Sequence, residues 1–505
     1  MIAGSKLEAK MAIWFTLLLL VLPVILSILK AKKLKLPPGP PKLPIIGNML
    51  QILGGVPHQT LYKLSQKYGP IMQIHLGGVP IVVISSPEAA EKILRTHEAN
   101  CCSRPRLFGA QGITYNYCDL GFSPYSDYYK IIKRICNVEL FSAQRVHSFG
   151  FIREDEIAFL MDSISQSCSS ATPVNLSEKL LSFTANLTCR VAFGKSVREK
   201  GLNNFRYHLI SDSLQMIENV AASDFFPFLG WIIDKLRRLD KRNQRVFKEL
   251  DSFCQKLLDD RLNDDSKQKQ EHEDVIDVLL KLRKKHIGSE IVQFTDEQIK
   301  ALFLNMFLGG SDTSAITMIW AMTELIRNPN LMKRAQAEIR NCVGSKGKVS
   351  ISDVDKLQYL KAVVKETLRL HPPGTIIPRE TTSQFTVNGY TIYPKTHIQV
   401  NIWAIARDPE VWERPEEFIP ERFMDSSIDF KGQNFEFLPF GSGRRMCPGI
   451  HMAITNIELT LSNLLCCFDW KLPCGMKAED IDMEEEFGLA THKKTALKLV
   501  PVKYM

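Results

Sequence analysis

The sequence predicts a mainly α-helical chain with a small β portion, organised as a single domain behind an N-terminal membrane anchor. Three observations carry that prediction. Residues Met11 to Leu29 hold no charged side chain over about the 20 residues that a helix needs to cross a bilayer. From Val174 to Leu282, and again from Thr295 to Arg327, apolar residues recur at helical spacing. Only short runs concentrate β-branched residues between turn formers, at Ile71–Leu76, Pro80–Ser85 and Val387–His397.

Composition narrows the partners. The 45% hydrophobic and 24% charged fractions are those of an ordinary globular protein. A net charge of +9 suits an anionic membrane surface or an acidic partner protein. No compact basic stripe interleaved with aromatics is present, so nucleic acid is not expected. The 12 cysteines are scattered or vicinal (Cys101-Cys102, Cys466-Cys467), without a Cys-x-x-Cys pair or zinc spacing. One is expected to be a ligand and the others reduced and structural.

Taken in order, the apolar run reads as a signal anchor rather than a cleaved signal peptide. It is long, and no small-x-small cleavage site precedes Lys30, Lys32, Lys33 and Lys35. Those lysines outnumber Lys6 and Lys10 before the span, which places the following body in the cytosol. Reducing cytosol agrees with free thiols, and it leaves the sequons at Asn175 and Asn186 unmodified. Pro37-Pro38-Gly39-Pro40-Pro41 is a stiff linker. Residues 1–36 are therefore assigned to the anchor and 37–505 to one domain with the proline segment at its start.

Within that domain Ile71–Leu76 and Pro80–Ser85 form a hairpin, Glu88–His97 a helix, and Leu107–Leu120 an aperiodic loop. Phe225–Trp231 suits either a substrate channel or a membrane contact, and helical apolar stripes are more often plain core. Ser266–Asp274 is a solvated surface loop. Thr295-Asp296-Glu297-Gln298 is a capping box opening a helix that runs to Arg327, where Asn328-Pro329 stops it. At ~1.5 Å per residue that helix is roughly 48 Å long, enough to cross the domain. Asn388-Gly389 turns the Val387–His397 hairpin.

Two stretches break local rules in ways that suggest chemistry. Gly309-Gly310-Ser311-Asp312-Thr313-Ser314 sits mid-helix, where two glycines cost roughly 1–2 kcal/mol against alanine. A buried acid there costs more unless it is used or paired. A helix N-cap is the bland alternative, opposed by the apolar runs on both sides. Asn305, Leu308 and Gly309 precede Thr313 on the inward side and are expected to face substrate. The second stretch is Phe440-Gly441-Ser442-Gly443-Arg444-Arg445-Met446-Cys447-Pro448-Gly449. Its glycines allow sharp turns against a flat ligand, and the amides and dipole of the next helix favour Cys447 as a thiolate, a good haem-iron ligand. A phosphate cradle or a buried structural cysteine would explain a single Gly-x-Gly, but not the whole pattern.

The stretch from Phe440 to Gly449 resembles, position for position, the Phe-x-x-Gly-x-Arg-x-Cys-x-Gly signature of the cytochrome P-450 family, the haem-thiolate monooxygenases. The other motifs are most similar to the microsomal plant enzymes of specialised metabolism. The resemblance implies the cytochrome P-450 fold, haem b, and Cys447 as axial ligand of its iron. It implies contacts to the haem from Phe440, Gly441 and Gly449, and to its propionates from Arg379, Arg445 and Lys133. Relatives usually carry Trp and Arg where this chain has Tyr129 and Lys133. Lysine lacks the bidentate fork of arginine, and an exposed basic face docking a reductase is the alternative for this segment.

Further roles follow from the same resemblance. Asp312 is expected to relay protons and Thr313 to hydrogen-bond dioxygen as it is reduced. Glu366, Arg369 and Arg422, with His371-Pro372-Pro373 nearby, resemble a buried structural clamp. Phe108, Ile113, Thr375, Ile376, Ile377, Phe487 and Leu489 are expected at the substrate pocket. The implied reaction is insertion of one oxygen atom of dioxygen into a small apolar substrate, a terpenoid or terpenoid-derived alkaloid being favoured over a phenolic. Electrons would come from NADPH through a membrane-bound flavoprotein reductase, with cytochrome b5 as a further donor, at the endoplasmic reticulum membrane. No Gly-x-Gly-x-x-Gly follows a strand, so the chain does not bind the nicotinamide itself. The rival classes are a haem-thiolate isomerase or dehydratase, which tends to lose the acid–alcohol pair, and a non-catalytic haem scaffold.

Overall fold

Helix caps and turn formers set the element boundaries. A computed structural model describes residues 35–504, except 169–171, 195, 197–211, 214, 219–220, 264–272, 284–285, 288–289 and 292–293. The expected membrane span and its flanking lysines up to Lys33 lie outside the described residues, as does most of the Ser266–Asp274 run. Among the described residues no helix is long and apolar enough to cross a membrane.

Six helices position the site: α1 (Asp127–Ile135), α2 (Leu176–Phe193), α3 (Asp296–Ser311), α4 (Thr313–Arg327), α5 (Gln358–Leu370) and α6 (Ile450–Cys467). Asn175 caps α2 by accepting the Glu178 N–H, and Gly194 ends it in the left-handed region at φ 67°. The expected capping box opens α3: Thr295 and Gln298 satisfy each other's backbone N–H groups. Helix α2 packs along α3 and α4, while α4 also packs on α5 and α6. Phe183, Leu187, Phe303, Phe307, Leu368, Ile457 and Leu461 join these faces in one continuous buried core. Asn186, the second sequon, is itself buried on α2.

The largest sheet has four strands, β1 (Ile71–Leu76), β2 (Val79–Ile84), β3 (Ile376–Glu380) and β6 (His397–Asn401), in the order β1-β2-β6-β3. β1 and β2 form the expected hairpin, with β2 beginning one residue early. The parallel β2–β6 pairing brings the sheet back beside β3. A separate hairpin joins β4 (Phe385–Val387) to β5 (Tyr390–Ile392) through Asn388 and Gly389, at φ 48° and 80°. The hairpin expected to reach His397 is therefore shorter, and His397 starts β6 in the four-stranded sheet.

Two other expectations are corrected. The segment Leu107–Leu120 contains a short helix, Phe108–Ile113, followed by three left-handed residues, Tyr115, Asn116 and Tyr117. The helix expected from Thr295 to Arg327 is divided at Asp312 into α3 and α4. Helix Pro87–Glu91 runs into a π-helical turn at Lys92–Thr96, within the span expected to be helical.

Candidate active site

Cys447 stands at the end of a loop that glycines make possible. Its backbone N–H donates to the Phe440 carbonyl at 2.9 Å, closing the loop just before α6. Gly443 has φ 68°, and a Cβ there would collide with the Glu98 carboxylate. That carboxylate accepts the Arg444 N–H and pairs with Arg444 Nε at 3.3 Å, so only glycine lets the loop dock on the Pro87–Cys101 segment.

The thiol of Cys447 opens on an internal cavity of about 490 Å³. It is exposed to that cavity but enclosed by protein. Burial pushes the thiol up, opposed by the Gly449 N–H and the Lys133 charge. The expectation that helix-start amides favour the thiolate is thus outweighed by desolvation in the chain alone. A cation bound at the sulfur would supply the missing charge.

Near this end of the cavity lie three guanidiniums, Arg104, Arg379 and Arg445. Burial and the charge of Arg445 pull Arg379 down to about 10. Burial, then the charges of Arg379 and Arg445, hold Arg104 well below the usual arginine value. Arg445 is lowered by burial, stacks its guanidinium 3.6 Å from the Tyr129 ring centre, and donates to the Cys102 and Ser123 carbonyls at 2.8 and 2.6 Å. None of the three forms an ion pair with a carboxylate among the described residues. Two buried cations and a half-buried third with so little compensation fit a dianionic ligand. Lys133 turns inward too: its ammonium donates to the Met446 carbonyl and is lowered by burial.

Asp312 and Thr313 border the same cavity at the junction of α3 and α4. Thr313 Oγ1 donates to the Gly309 carbonyl at 2.8 Å, and Thr184 of α2 donates to the Ser311 carbonyl. Hydroxyls thus serve acceptors in the last turn of α3, which eases the interruption. A Cβ on Gly309 would meet nothing within 4 Å, whereas one on Gly310 would press on Thr188 Oγ1 of α2 at 3.2 Å. Gly309 leaves cavity space; Gly310 permits helix packing. Asp312 Oδ2 meets His492 Nε2 at 2.9 Å.

A cytochrome P450 family model matches residues 37–499. The chain belongs to the cytochrome P450 family. Cytochrome P450 71B37 of Arabidopsis thaliana is 50% identical over 499 residues, covering 98% of this chain and 99% of its own. Cytochrome P450 71B10 of the same plant is 48% identical over 499 residues, covering 97% and 99%. These relatives make the chain a plant P450 of the 71 type, a haem-dependent monooxygenase. Two zebrafish cytochrome P450 structures, with abiraterone and with progesterone, align at TM-scores of 0.73 and 0.75. Each is 24% identical; the first covers 89% of this chain and 100% of its own, the second 88% and 99%, and both bear on the fold alone.

The residues present fit haem b. A soft sulfur donor faces the cavity, and the uncompensated arginines match two propionates. Phe440, Gly441 and Gly449 border the cavity with Cys447. Ile113, Asn305, Leu308, Gly309, Ile376, Ile377 and Leu489 also line it. Phe108, Thr375 and Phe487 do not. Phe108 opens its short helix with its N–H donated to the capping Asp224 carboxylate at 2.9 Å, and the buried Thr375 hydroxyl meets Thr491 at 3.3 Å. Phe487 is exposed, with its ring 6.0 Å from that of His58.

Asn305 lines the cavity, yet its amide is already engaged. Its Oδ1 accepts the Leu120 and Gly121 N–H groups at 2.8 and 2.9 Å, and its Nδ2 donates to Asp119 at 2.8 Å. Burial pushes Asp119 up to about 6 despite those bonds. Away from the cavity, Glu366 and Arg369 are fully buried and bidentate at 2.7 and 2.8 Å; Arg422 Nε adds a third contact at 3.1 Å. Arg104, Asp119 and His492 escaped sequence reasoning.

Proposed function

We propose that this P450 is an endoplasmic-reticulum enzyme that oxidises an apolar plant specialised metabolite, with a terpenoid or terpenoid-derived alkaloid as the favoured class. The observation that carries this reading is one cavity bordered by Cys447 and by Asp312–Thr313, with aliphatic walls between. Ile113, Leu302, Leu308, Ile376, Ile377 and Leu489 offer shape and no charge, which suits a hydrocarbon skeleton. The charged lining residues are Asp312 and the cations assigned to the haem.

The haem, when bound, supplies the oxygen activation. Cys447 holds its iron, and Arg104, Arg379 and Arg445 orient it through the propionates, with Lys133 beside the Cys447 loop. The aliphatic walls exclude water and position the substrate. Asp312 takes up a proton and passes it on to the cavity beside Thr313 Oγ1. Glu366, Arg369 and Arg422 act on structure alone.

The electron donor is a membrane-bound NADPH-dependent flavoprotein reductase, with cytochrome b5 as a further donor. Lys133 is engaged inward, but Arg134 is exposed and Lys130 and Arg444 are about half exposed. These cations give an acidic partner a landing face near the cysteine loop. The membrane reading rests on two exposed apolar tips. Leu43, Ile45, Leu50 and Leu53 form one; Phe228, Leu229, Trp231 and Leu236 form the other. The β1–β2 turn joins them, with Gly77 N–H bonded to Ile46 O at 3.2 Å and Gly78 N–H to Phe225 O at 2.8 Å. Only the first, Leu43–Leu53, lies on the chain close to the anchor assigned to residues 1–36; the second is brought beside it by that turn.

Optical titration of the purified ferric protein with terpenoids, alkaloids and phenolics tests the substrate class. A haem-band shift toward the high-spin form with terpenoids alone supports the reading. A shift with phenolics alone refutes it.

A further inference from the structure

The acid of the α3–α4 junction has a partner far away in the chain. His492 Nε2 lies 2.9 Å from Asp312 Oδ2. Asp312 borders the cavity, while the His492 side chain is 33% exposed and sits in the small hairpin of Glu485–Glu486 with His492–Lys493. The hairpin is held at two further points. Leu489 N–H donates to Glu218 at 2.7 Å, and Thr491 N–H donates to the Pro373 carbonyl at 2.7 Å.

We propose that His492 is the outer relay for protons entering this active site: its imidazole takes them from solvent and hands them to Asp312. The proposal rests on Asp312 being the acid of the oxygenase reaction. His492 acts through Asp312, so it is a positioning and relay residue. In each step protonated His492 gives its Nε2 proton to Asp312 Oδ2, leaving a neutral imidazole and a carboxylic acid. The acid releases that proton into the cavity, and water reprotonates the imidazole. One proton enters from water, one leaves to the cavity, and no electron moves.

The surroundings suit this role. The charged groups facing His492 are Asp312, Glu218 from the segment 215–218, and Glu486 from the paired strand, all acidic. Burial alone would lower the imidazole, but the bond and charge of Asp312, with Glu218 and Glu486, outweigh it and hold His492 above its ordinary value. The acidic surroundings thus favour its protonated form, the form an outer proton donor uses.

The test uses the full-length holoenzyme and the variants His492→Gln, His492→Phe and Asp312→Asn. In the diamagnetic ferrous carbon monoxide form, NMR of labelled histidine follows the resonance missing from His492→Gln. Its titration midpoint is expected above the ordinary 6.5 and to fall in Asp312→Asn. An unmoved midpoint overturns the pairing. With NADPH, a flavoprotein reductase and no added substrate, hydrogen peroxide released per NADPH is followed across pH. It should rise in all three variants, and its alkaline increase in the parent should vanish in His492→Gln. A rise in Asp312→Asn but not in His492→Phe overturns the relay alone. No rise in any variant overturns the role given to Asp312, and the relay with it.

Discussion

Replacing Asn305 by alanine separates two readings of an inward-facing helical residue. As a substrate contact, Asn305 would alter binding of one ligand class and leave the fold intact. In the structure its carboxamide instead ties α3 to the Asp119–Phe122 loop through bonds to Leu120 N–H, Gly121 N–H and Asp119. Two neutral bonds at about 1 kcal/mol each and one to a carboxyl group at about 2 sum to roughly 4 kcal/mol. Cavity water can replace part of that, leaving about 2–3 kcal/mol. Asn305→Ala should therefore lower the unfolding free energy by about 2–3 kcal/mol, read from denaturant midpoints at constant slope. Spectral affinities should weaken together across unrelated ligands, because the loop that borders their cavity is loosened. A stability change under about 0.5 kcal/mol, within the range of ordinary surface substitutions, together with a selective loss for one ligand class, would refute the loop-tying role.

Cys447→Ser should abolish the thiolate-type carbon monoxide spectrum; its persistence would mean another residue ligates the iron. Arg369→Leu strips the buried Glu366 of its bidentate partner and should cost about 3–5 kcal/mol in chemical unfolding. By contrast Arg245→Ala, at the 81% exposed end of a pair with Glu249, should cost no more than about 0.5 kcal/mol. Asp119 gives a pH signature. Its folded value near 6 exceeds the ordinary 3.8, so between these the folded state binds more protons, and stability falls as pH rises. Against Asp119→Asn, the parent should lose up to about 3 kcal/mol between pH 4 and 6; a flat difference would contradict the buried carboxyl.

What could be read from the sequence was local. The Thr295–Gln298 capping box, the Asn388-Gly389 turn and the Cys447 loop each carry their instructions within a few residues. The short helix at Phe108–Ile113 does not: it contains two glycines and no apolar period. Its start is capped by Asp224, and Gly109 admits the backbone at Met216 so closely that any Cβ would collide. Both partners are more than one hundred residues away in the chain. Distance also hid Arg104, Asp119 and His492, each with a decisive partner far along the chain: Pro378, Asn305 and Asp312. For Cys447 a local rule, the helix-start amide, is outweighed by desolvation, which depends on the enclosing protein.

The interruption at Asp312 shows how the two scales meet. Mid-helix glycines weaken α3 by their own propensity, but they do not say where it will part or which way the acid will turn. Thr184 on α2 and Thr313 itself supply hydroxyl donors to the Ser311 and Gly309 carbonyls. The acceptors are then satisfied in the interrupted form. Gly310 keeps α2 close enough for Thr184 to reach. Asp312 is consequently released from a regular helical turn and can bridge the cavity and His492 at once. A continuous helix would have been locally cheaper; the side chain that meets solvent-side chemistry is available because α2 and the C-terminal hairpin, both distant in sequence, hold the two sides of the break.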